Sequence, residues 1–296
     1  MFEGFEDRNV VLPSGLSIRV RSAGKGPPIL LLHGYPQTSA CWHKVAPKLV
    51  SAGFTVIAPD LRGYGGSDKP PSSPNHLTYS KRLMAQDQVE LMHLLGYDHF
   101  HLAGHDRGGR VAHRLVLDHP AAVDRIAVLD IAPTATMYAN TDRAFATGYY
   151  HWFFLIQPAP LPETLIGADP DFYLRSKLAA WGKSGIDVFS EEALAEYCES
   201  FRDPACLSAT CEDYRAAATI DLVHDEADSD LRIAAPLLAL WGTKGLVGRL
   251  YDVISTWQEK AVHVVGKGLP VGHFLPEEAP NETAEAMIGF FSESRH

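Results

Sequence analysis

Cysteine is scarce in this chain, long apolar runs are missing, and no stretch is dominated by lysine and arginine. Four cysteines occur in 296 residues, Cys41, Cys198, Cys206 and Cys211. Their spacing fits neither a zinc site nor a disulfide framework, so reduced thiols in a cytoplasmic protein are expected. No apolar run reaches the roughly 18 residues that a membrane-spanning helix needs, so no membrane association is expected. Charges every few positions near the N-terminus are unlike a secretory signal. The net charge is −10. Without a basic run, that argues against nucleic acid as a partner. It also means that any site for a small anion must carry its own local positive charge. Repeats, low-complexity segments and charge blocks are absent. The hydrophobic share of 46% and charged share of 21% argue against disorder.

What is present is an alternation of strands and helices. Val10 to Leu12 and Leu16 to Val20, separated by Pro13-Ser14-Gly15, read as a hairpin. Pro28 to Leu32 is unbroken and apolar, as expected of a strand buried on both faces. A helix is expected from Ser39 to Ser51, a strand from Phe54 to Ala58, and a helix from Tyr79 or Ser80 to Leu95. The strand Phe100 to Ala103, the helix Arg107 to His119 and the strand Val123 to Leu129 follow. This order predicts a mostly parallel central sheet with helices on both faces. From residue 135 to 232 no strong strand appears. Helices are expected at Asp142 to Ile156, Asp171 to Trp181, Ser190 to Phe201 and Pro204 to Ile220. The alternation resumes with the strand Leu237 to Trp241, a helix around Gly248 to Glu259, the strand Val262 to Val265 and a helix from Asn281 to Ser292. The expected organisation is therefore a core of residues 1–134 and 233–296 and a helical cap of 135–232.

At the centre of the alternation lies Gly104-His105-Asp106-Arg107-Gly108-Gly109. A strand that turns sharply into a helix, with small residues around the central one, is a nucleophile elbow. The usual serine is missing and Asp106 stands in its place. A carboxylate nucleophile attacks saturated carbon and forms an alkyl ester. In an α/β-hydrolase the order is nucleophile, acid, histidine. His273, in Gly272-His273-Phe274, is the candidate base. The acid is Asp130, at the end of the strand after the elbow, in preference to Asp252, because Trp241 to Leu246 holds no carboxylate. His33-Gly34-Tyr35-Pro36 follows a buried strand. There the backbone N–H groups of Tyr35 and Arg107 would form an oxyanion hole. A structuring role in the loop is expected for His33.

The elbow Asp106-Arg107-Gly108-Gly109-Arg110 resembles that of the fluoroacetate (haloacetate) dehalogenases, α/β-hydrolase relatives of the haloalkane dehalogenases and epoxide hydrolases. The similarity extends through His33-Gly34-Tyr35-Pro36-Gln37, Asp130-Ile131-Ala132-Pro133-Thr134, His151-Trp152 and Gly272 to Glu278. It implies that Arg107 and Arg110 bind the substrate carboxylate and that His151, Trp152 and Tyr214 cradle the halide. Tyr149, Tyr150 and Tyr197 are competing phenols for the last position. Tyr35 stands where phenylalanine is usual. The resemblance implies hydrolysis of a short 2-haloacid to the 2-hydroxy acid without metal or cofactor, and it also admits a homodimer. The rival expectations are an epoxide hydrolase, which would use the same three catalytic residues with two cap tyrosines, and a non-catalytic receptor for a small acid.

Overall fold

The computed structural model describes residues 1–293; the last three positions of the expected core, 294–296, lie outside the described residues. Eight strands form one sheet: β1 (Glu6–Val11), β2 (Ser17–Ala23), β3 (Pro28–Leu32), β4 (Thr55–Pro59), β5 (Phe100–His105), β6 (Val123–Leu129), β7 (Leu237–Gly242) and β8 (Val264–Leu269). Their spatial order is β1-β2-β4-β3-β5-β6-β7-β8. The β1–β2 and β2–β4 pairs are antiparallel, and every other pair is parallel. The central strands β3 and β5 are almost wholly buried because helices cover both faces, and β3 is apolar throughout.

Helices α1 (Ala46–Ser51), α2 (Lys81–Leu94) and α3 (Arg107–Asp118) connect the first strands. Eight helices then separate β6 from β7: α4 (Thr134–Ala139), α5 (Arg143–Gly148), α6 (His151–Phe154), α7 (Leu161–Gly167), α8 (Pro170–Trp181), α9 (Glu191–Arg202), α10 (Pro204–Ala218) and α11 (Ile220–Ala227). The chain closes with α12 (Leu246–Leu250), α13 (Val253–Gln258), α14 (Leu275–Glu278) and α15 (Pro280–Phe291). Most expected elements are found within a few residues of their expected bounds.

The differences have local causes. The helix expected over 39–51 is split into a 3₁₀ turn, Ser39–Trp42, and α1. Pro47 has no N–H to donate, so it is accommodated only in a first turn, and α1 starts one residue before it. The helix expected over 142–156 breaks between α5 and α6. A Cβ on Gly148 would stand 2.8 Å from Leu246 Cδ2, so the chain there presses directly on α12. The helix expected over 248–259 is also two helices, because Asp252 caps α13 by accepting the Ser255 N–H at 3.1 Å.

Close backbone approaches set the carboxyl edge of the sheet. A Cβ on Gly108 would stand 2.4 Å from both the Leu32 and His33 carbonyl oxygens, so glycine lets α3 lie directly on β3. At Gly242, the end of β7, a Cβ would fall 1.8 Å from the Gly272 carbonyl oxygen. Gly242→Ala should therefore push the loop after β8 away from the sheet and cost about 1–3 kcal/mol as overpacking. Gly289→Ala is the control. Its surroundings are open, it lies in α15, and it should gain up to about 1 kcal/mol of helix propensity. Urea unfolding of both variants checks the pair, and equal midpoints would contradict the close-approach account.

Candidate active site

The turn from β5 into α3 places Asp106 at φ 47°, ψ −115°, a left-handed conformation that non-glycine residues rarely adopt. The surroundings hold it there. A Cβ on Gly34 would meet Asp106 Cβ at 2.5 Å, and one on Gly104 would meet the Gly108 carbonyl oxygen at 2.4 Å. Side chains larger than hydrogen at either position would open the turn. Asp106 is 5% exposed. Its Oδ1 accepts the Tyr35 N–H at 2.9 Å, and its Oδ2 lies 3.7 Å from His273 Nε2. The Arg107 N–H, at the first position of α3, belongs to the donors that a helix leaves unbonded at its start.

Asp130 ends β6 and is also left-handed, at φ 51°. Its Oδ2 meets His273 Nδ1 at 2.5 Å, and its Oδ1 accepts the Gly242 N–H at 2.8 Å. Asp252, the other acid weighed for this position, is exposed and engaged as a helix cap. His273 arrives on the loop after β8, where its N–H donates to the Trp181 carbonyl oxygen at 3.1 Å. The three side chains thus converge from three strand ends.

The electrostatics follow from burial and charge. Burial acts to raise the Asp106 carboxyl pKa, but His273, Arg110, His105 and Arg107 outweigh it and hold the group below its ordinary value. For His273 burial favours the neutral ring, yet its bond to Asp130 and the charges of Asp130 and Asp106 leave its pKa above the ordinary value. Asp130 is raised by burial, which its bond to His273 only partly offsets. His105, next to Asp106 in the chain, is pushed down to about 3 chiefly by burial, so it is neutral. Its Nε2 lies 2.9 Å from the His273 carbonyl oxygen and buttresses that loop. His33 lies 3.0 Å from the Leu61 N and 3.1 Å from its neighbour's carbonyl oxygen, fixing the loop after β3.

The two arginines differ. Arg107 is fully buried, and its Nε and Nη2 reach the Asp213 carboxylate at 3.0 and 2.5 Å. The guanidinium also lies 4.2 Å over the Tyr214 ring. Only its Nη1 has no partner. Arg110 bonds Thr134 Oγ1 at 2.8 Å and the Ala132 carbonyl oxygen at 3.2 Å, and it lies 4.7 Å over the Trp152 ring. Its Nε has no partner. Asp213 in turn binds Lys81 and accepts the Tyr64 hydroxyl at 2.7 Å. Asp213, Lys81 and Tyr64 carry no motif in the sequence. The only hint was the adjacency of Asp213 to Tyr214.

His151, Trp152 and Tyr214 are all buried, and the Tyr214 ring lies 5.5 Å from that of His151 and 6.4 Å from that of Trp152. His151 Nδ1 and the Tyr214 hydroxyl have no partner, and neither has the Tyr149 hydroxyl. Burial, helped by Lys177 and His273, drives the His151 pKa far down, so the ring is neutral. Burial likewise keeps Tyr214 protonated. Tyr35 packs edge-on against Tyr214 and parallel to His151, and its hydroxyl reaches Tyr173 at 3.3 Å. Trp181, which the sequence did not single out, lies 4.3 Å from the His151 ring and 5.8 Å from that of His273. Tyr197 lies elsewhere, bonded to Glu277 at 2.8 Å. Tyr150 is half exposed. Among the described residues, no cluster of His, Cys, Asp and Glu is placed to hold a metal, and no helix is long and apolar enough to cross a membrane. The four cysteines are buried and unpaired.

Comparison with known proteins agrees with this fold. A family profile described as "alpha/beta hydrolase fold" matches residues 27–280. The crystal structure of an α/β hydrolase from Nostoc sp PCC 7120 superposes with a TM-score of 0.97 at 59% identity, covering 99% of this chain and 100% of that one. The fluoroacetate dehalogenase of Burkholderia sp is 46% identical over 100% of this chain and 96% of its own length. The soluble epoxide hydrolase of Corynebacterium sp. (strain C12) is 35% identical, covering 95% of this chain and 96% of the relative. With an aspartate elbow on an eight-stranded, mostly parallel sheet and a match over nearly its full length, the chain belongs to the α/β-hydrolase family.

Proposed function

We propose that this chain is a haloacetate dehalogenase, hydrolysing a short 2-haloacid such as fluoroacetate to the 2-hydroxy acid and halide. The observation that carries this reading is a set of buried polar atoms without partners: Arg107 Nη1 and Arg110 Nε on the helix that follows Asp106, and His151 Nδ1 and the Tyr214 hydroxyl on rings that pack against Tyr35, whose N–H bonds Asp106. Buried donors left unbonded cost about 1–3 kcal/mol each. A substrate with a carboxylate at one end and a halogen at the other would satisfy both sets. Residues 135–232 act in this reading as a cap over a core of 1–134 and 233–296.

In the first step Asp106 Oδ2 attacks the carbon bearing the halogen. A carbon–oxygen bond forms, the carbon–halogen bond breaks, and its electron pair leaves with the halide. Arg107 and Arg110 hold the substrate carboxylate and offset its repulsion from Asp106, which aligns the carbon for in-line attack. His151, Trp152 and Tyr214 donate to the halide in place of its water. In the second step His273 takes a proton from water, and the hydroxide adds to the ester carbonyl at Asp106 Cγ. The oxygen that becomes anionic, Oδ1, rests on the N–H groups of Tyr35 and Arg107. Each such donor is worth about 3–4 kcal/mol in comparable sites. Collapse releases the 2-hydroxy acid, and Asp130 stabilises the imidazolium formed on the way. Water gives one oxygen to the enzyme carboxylate, the old ester oxygen leaves with the product, and a proton is released. The chain supplies every group for both steps.

The 46% identity to fluoroacetate dehalogenase supports this ranking. The Corynebacterium relative and two unpartnered phenols, Tyr149 and Tyr214, favour an epoxide hydrolase as the second reading. An uncharged epoxide, however, leaves the unbonded arginine N–H groups unexplained.

Fluoride release from fluoroacetate, read with a fluoride electrode alongside chloroacetate and 2-fluoropropionate, is the direct test. Turnover of styrene oxide with no halide release from any haloacid would reverse the ranking. His273→Ala should block only the second step, so intact-mass analysis after incubation with haloacetate should show an adduct on Asp106. An unmodified mass would sink the ester mechanism. The pH behaviour has a definite sign. Asp106 is one cause of the raised His273 pKa, and its charge is lost in the ester. Ester breakdown needs neutral His273, so its rate should rise with pH with a midpoint below the His273 pKa seen by NMR in the free protein. A midpoint at or above that value would show that Asp106 does not act on the ring. Asp213→Asn should leave Arg107 and Lys81 short of an anion and cost about 3–5 kcal/mol in urea unfolding.

A further inference from the structure

Two lysines are buried among the described residues, Lys81 and Lys177. Lysines are almost never buried without a partner. Lys81 obeys this rule through Asp213 and Asp221. Lys177 makes no ion pair and no hydrogen bond among the described residues, although it is only 5% exposed. Its ammonium lies instead against aromatic rings, 3.6 Å from the centroid of Tyr150, 4.9 Å from Tyr173 and 5.7 Å from Trp181. Tyr173, Lys177 and Trp181 follow at intervals of four on α8, so they share one face of the helix.

The rings hold the cation without satisfying it. Cation–π contacts are worth about 2 kcal/mol when desolvated, less than the several kcal/mol of taking an ammonium out of water. The deficit is visible in the pKa of Lys177, lowered by burial to about 8. A lysine with three N–H donors and no acceptor is therefore fixed in place. It lines a cavity of about 280 Å³ whose walls include Tyr150, Trp181, Lys183, Arg249 and His273 and no carboxylate. The cavity thus reaches from an exposed basic rim to the candidate base. Lys177 is also near enough to His151 to help lower its pKa.

We propose that Lys177 is an anion-binding site at the mouth of the cleft, where a small monovalent anion rests on its passage between solvent and Asp106. The anion is the carboxylate of an incoming acid or the outgoing halide. The site stands on the geometry of the cavity, while its part in turnover rests on the dehalogenase reading. In a chain of net charge −10, such a station also counters the repulsion that an anionic substrate meets.

Two measurements test this. Crystals of the full chain soaked in sodium bromide should show an anomalous peak in direct contact with Lys177 Nζ, as a charge-assisted hydrogen bond requires. Lys177→Met, which keeps the stem and removes the charge, should lose that peak. It should also raise KM for chloroacetate about tenfold, the low end of electrostatic guidance, while kcat changes much less. Product inhibition by added bromide and by glycolate separates the two sources. Loss of bromide inhibition in the variant assigns the halide, and loss of glycolate inhibition assigns the carboxylate. No peak at Nζ in the unsubstituted protein, or an unchanged KM in a folded variant, overturns the proposal. If the variant does not fold, the bromide density decides alone. A protein that releases no halide from any haloacid yet binds bromide at Lys177 would retire the dehalogenase reading and keep the site.

Discussion

The arrangement depends on one buried ion pair, between Arg107 at the start of α3 and Asp213 in α10. The elbow requires α3 to point its N-terminus at the reacting atoms. That end of a helix carries partial positive charge. Its first turn here holds two arginines and no acid, the reverse of what the dipole favours. Left alone, Arg107 would be a buried cation at a positive pole. Asp213 reaches in from the helices between β6 and β7 and removes that cost, and Arg107 and Lys81 hold its carboxyl far below the ordinary range against the opposing effect of burial. Pairing therefore ties the inserted helices to the elbow, and it leaves one Arg107 nitrogen, Nη1, without a partner.

The consequence is a centre whose charges are nearly matched before any ligand arrives. Arg107, Arg110 and Lys81 stand against Asp106, Asp213 and Asp221, all of them buried. In the proposed reaction two anions, Asp106 and a substrate carboxylate, would approach closely there, and the guanidiniums would offset their repulsion. Fixed charges of this kind need no rearrangement as the reaction proceeds, which is where electrostatic catalysis draws its advantage over water. Arg110 is positioned differently, by Thr134, the Ala132 carbonyl oxygen and the Trp152 face. The two arginines are therefore not interchangeable, although they look like a matched pair in sequence.

The sheet and the elbow were legible because their signals are local. Pro28 to Leu32 reads as a strand from its own composition, and Asp106 reads as a nucleophile from the small residues around it. Choosing Asp130 over Asp252 was possible because each lies at a definable place relative to a strand end. What could not be read depends on contacts between distant segments. Nothing near Asp213 in sequence says that it meets Arg107, more than one hundred positions away. Lys81 and Lys177 are equally plain lysines within α2 and α8, and only tertiary packing makes one paired and the other unpaired. The helix breaks at Gly148 and at Tyr251-Asp252 likewise reflect packing and capping rather than propensity.

Charge conservation links these features to the proposed reaction. When Asp106 forms the ester its negative charge does not vanish but moves to the halide, a short distance across the same pocket. Seen from Arg107 and Arg110 the total is unchanged, so displacement requires no new counterion. When the halide departs it carries one negative charge away, and Arg107, Arg110 and Lys81 again face three anions, Asp213, Asp221 and the substrate carboxylate. A centre without excess negative charge then opposes the hydroxide that His273 draws from water less than the halide-bound one did, and the neutralised Asp106 no longer repels it. Departure of the halide past His151 toward the cation-lined mouth thus prepares the second step as well as completing the first.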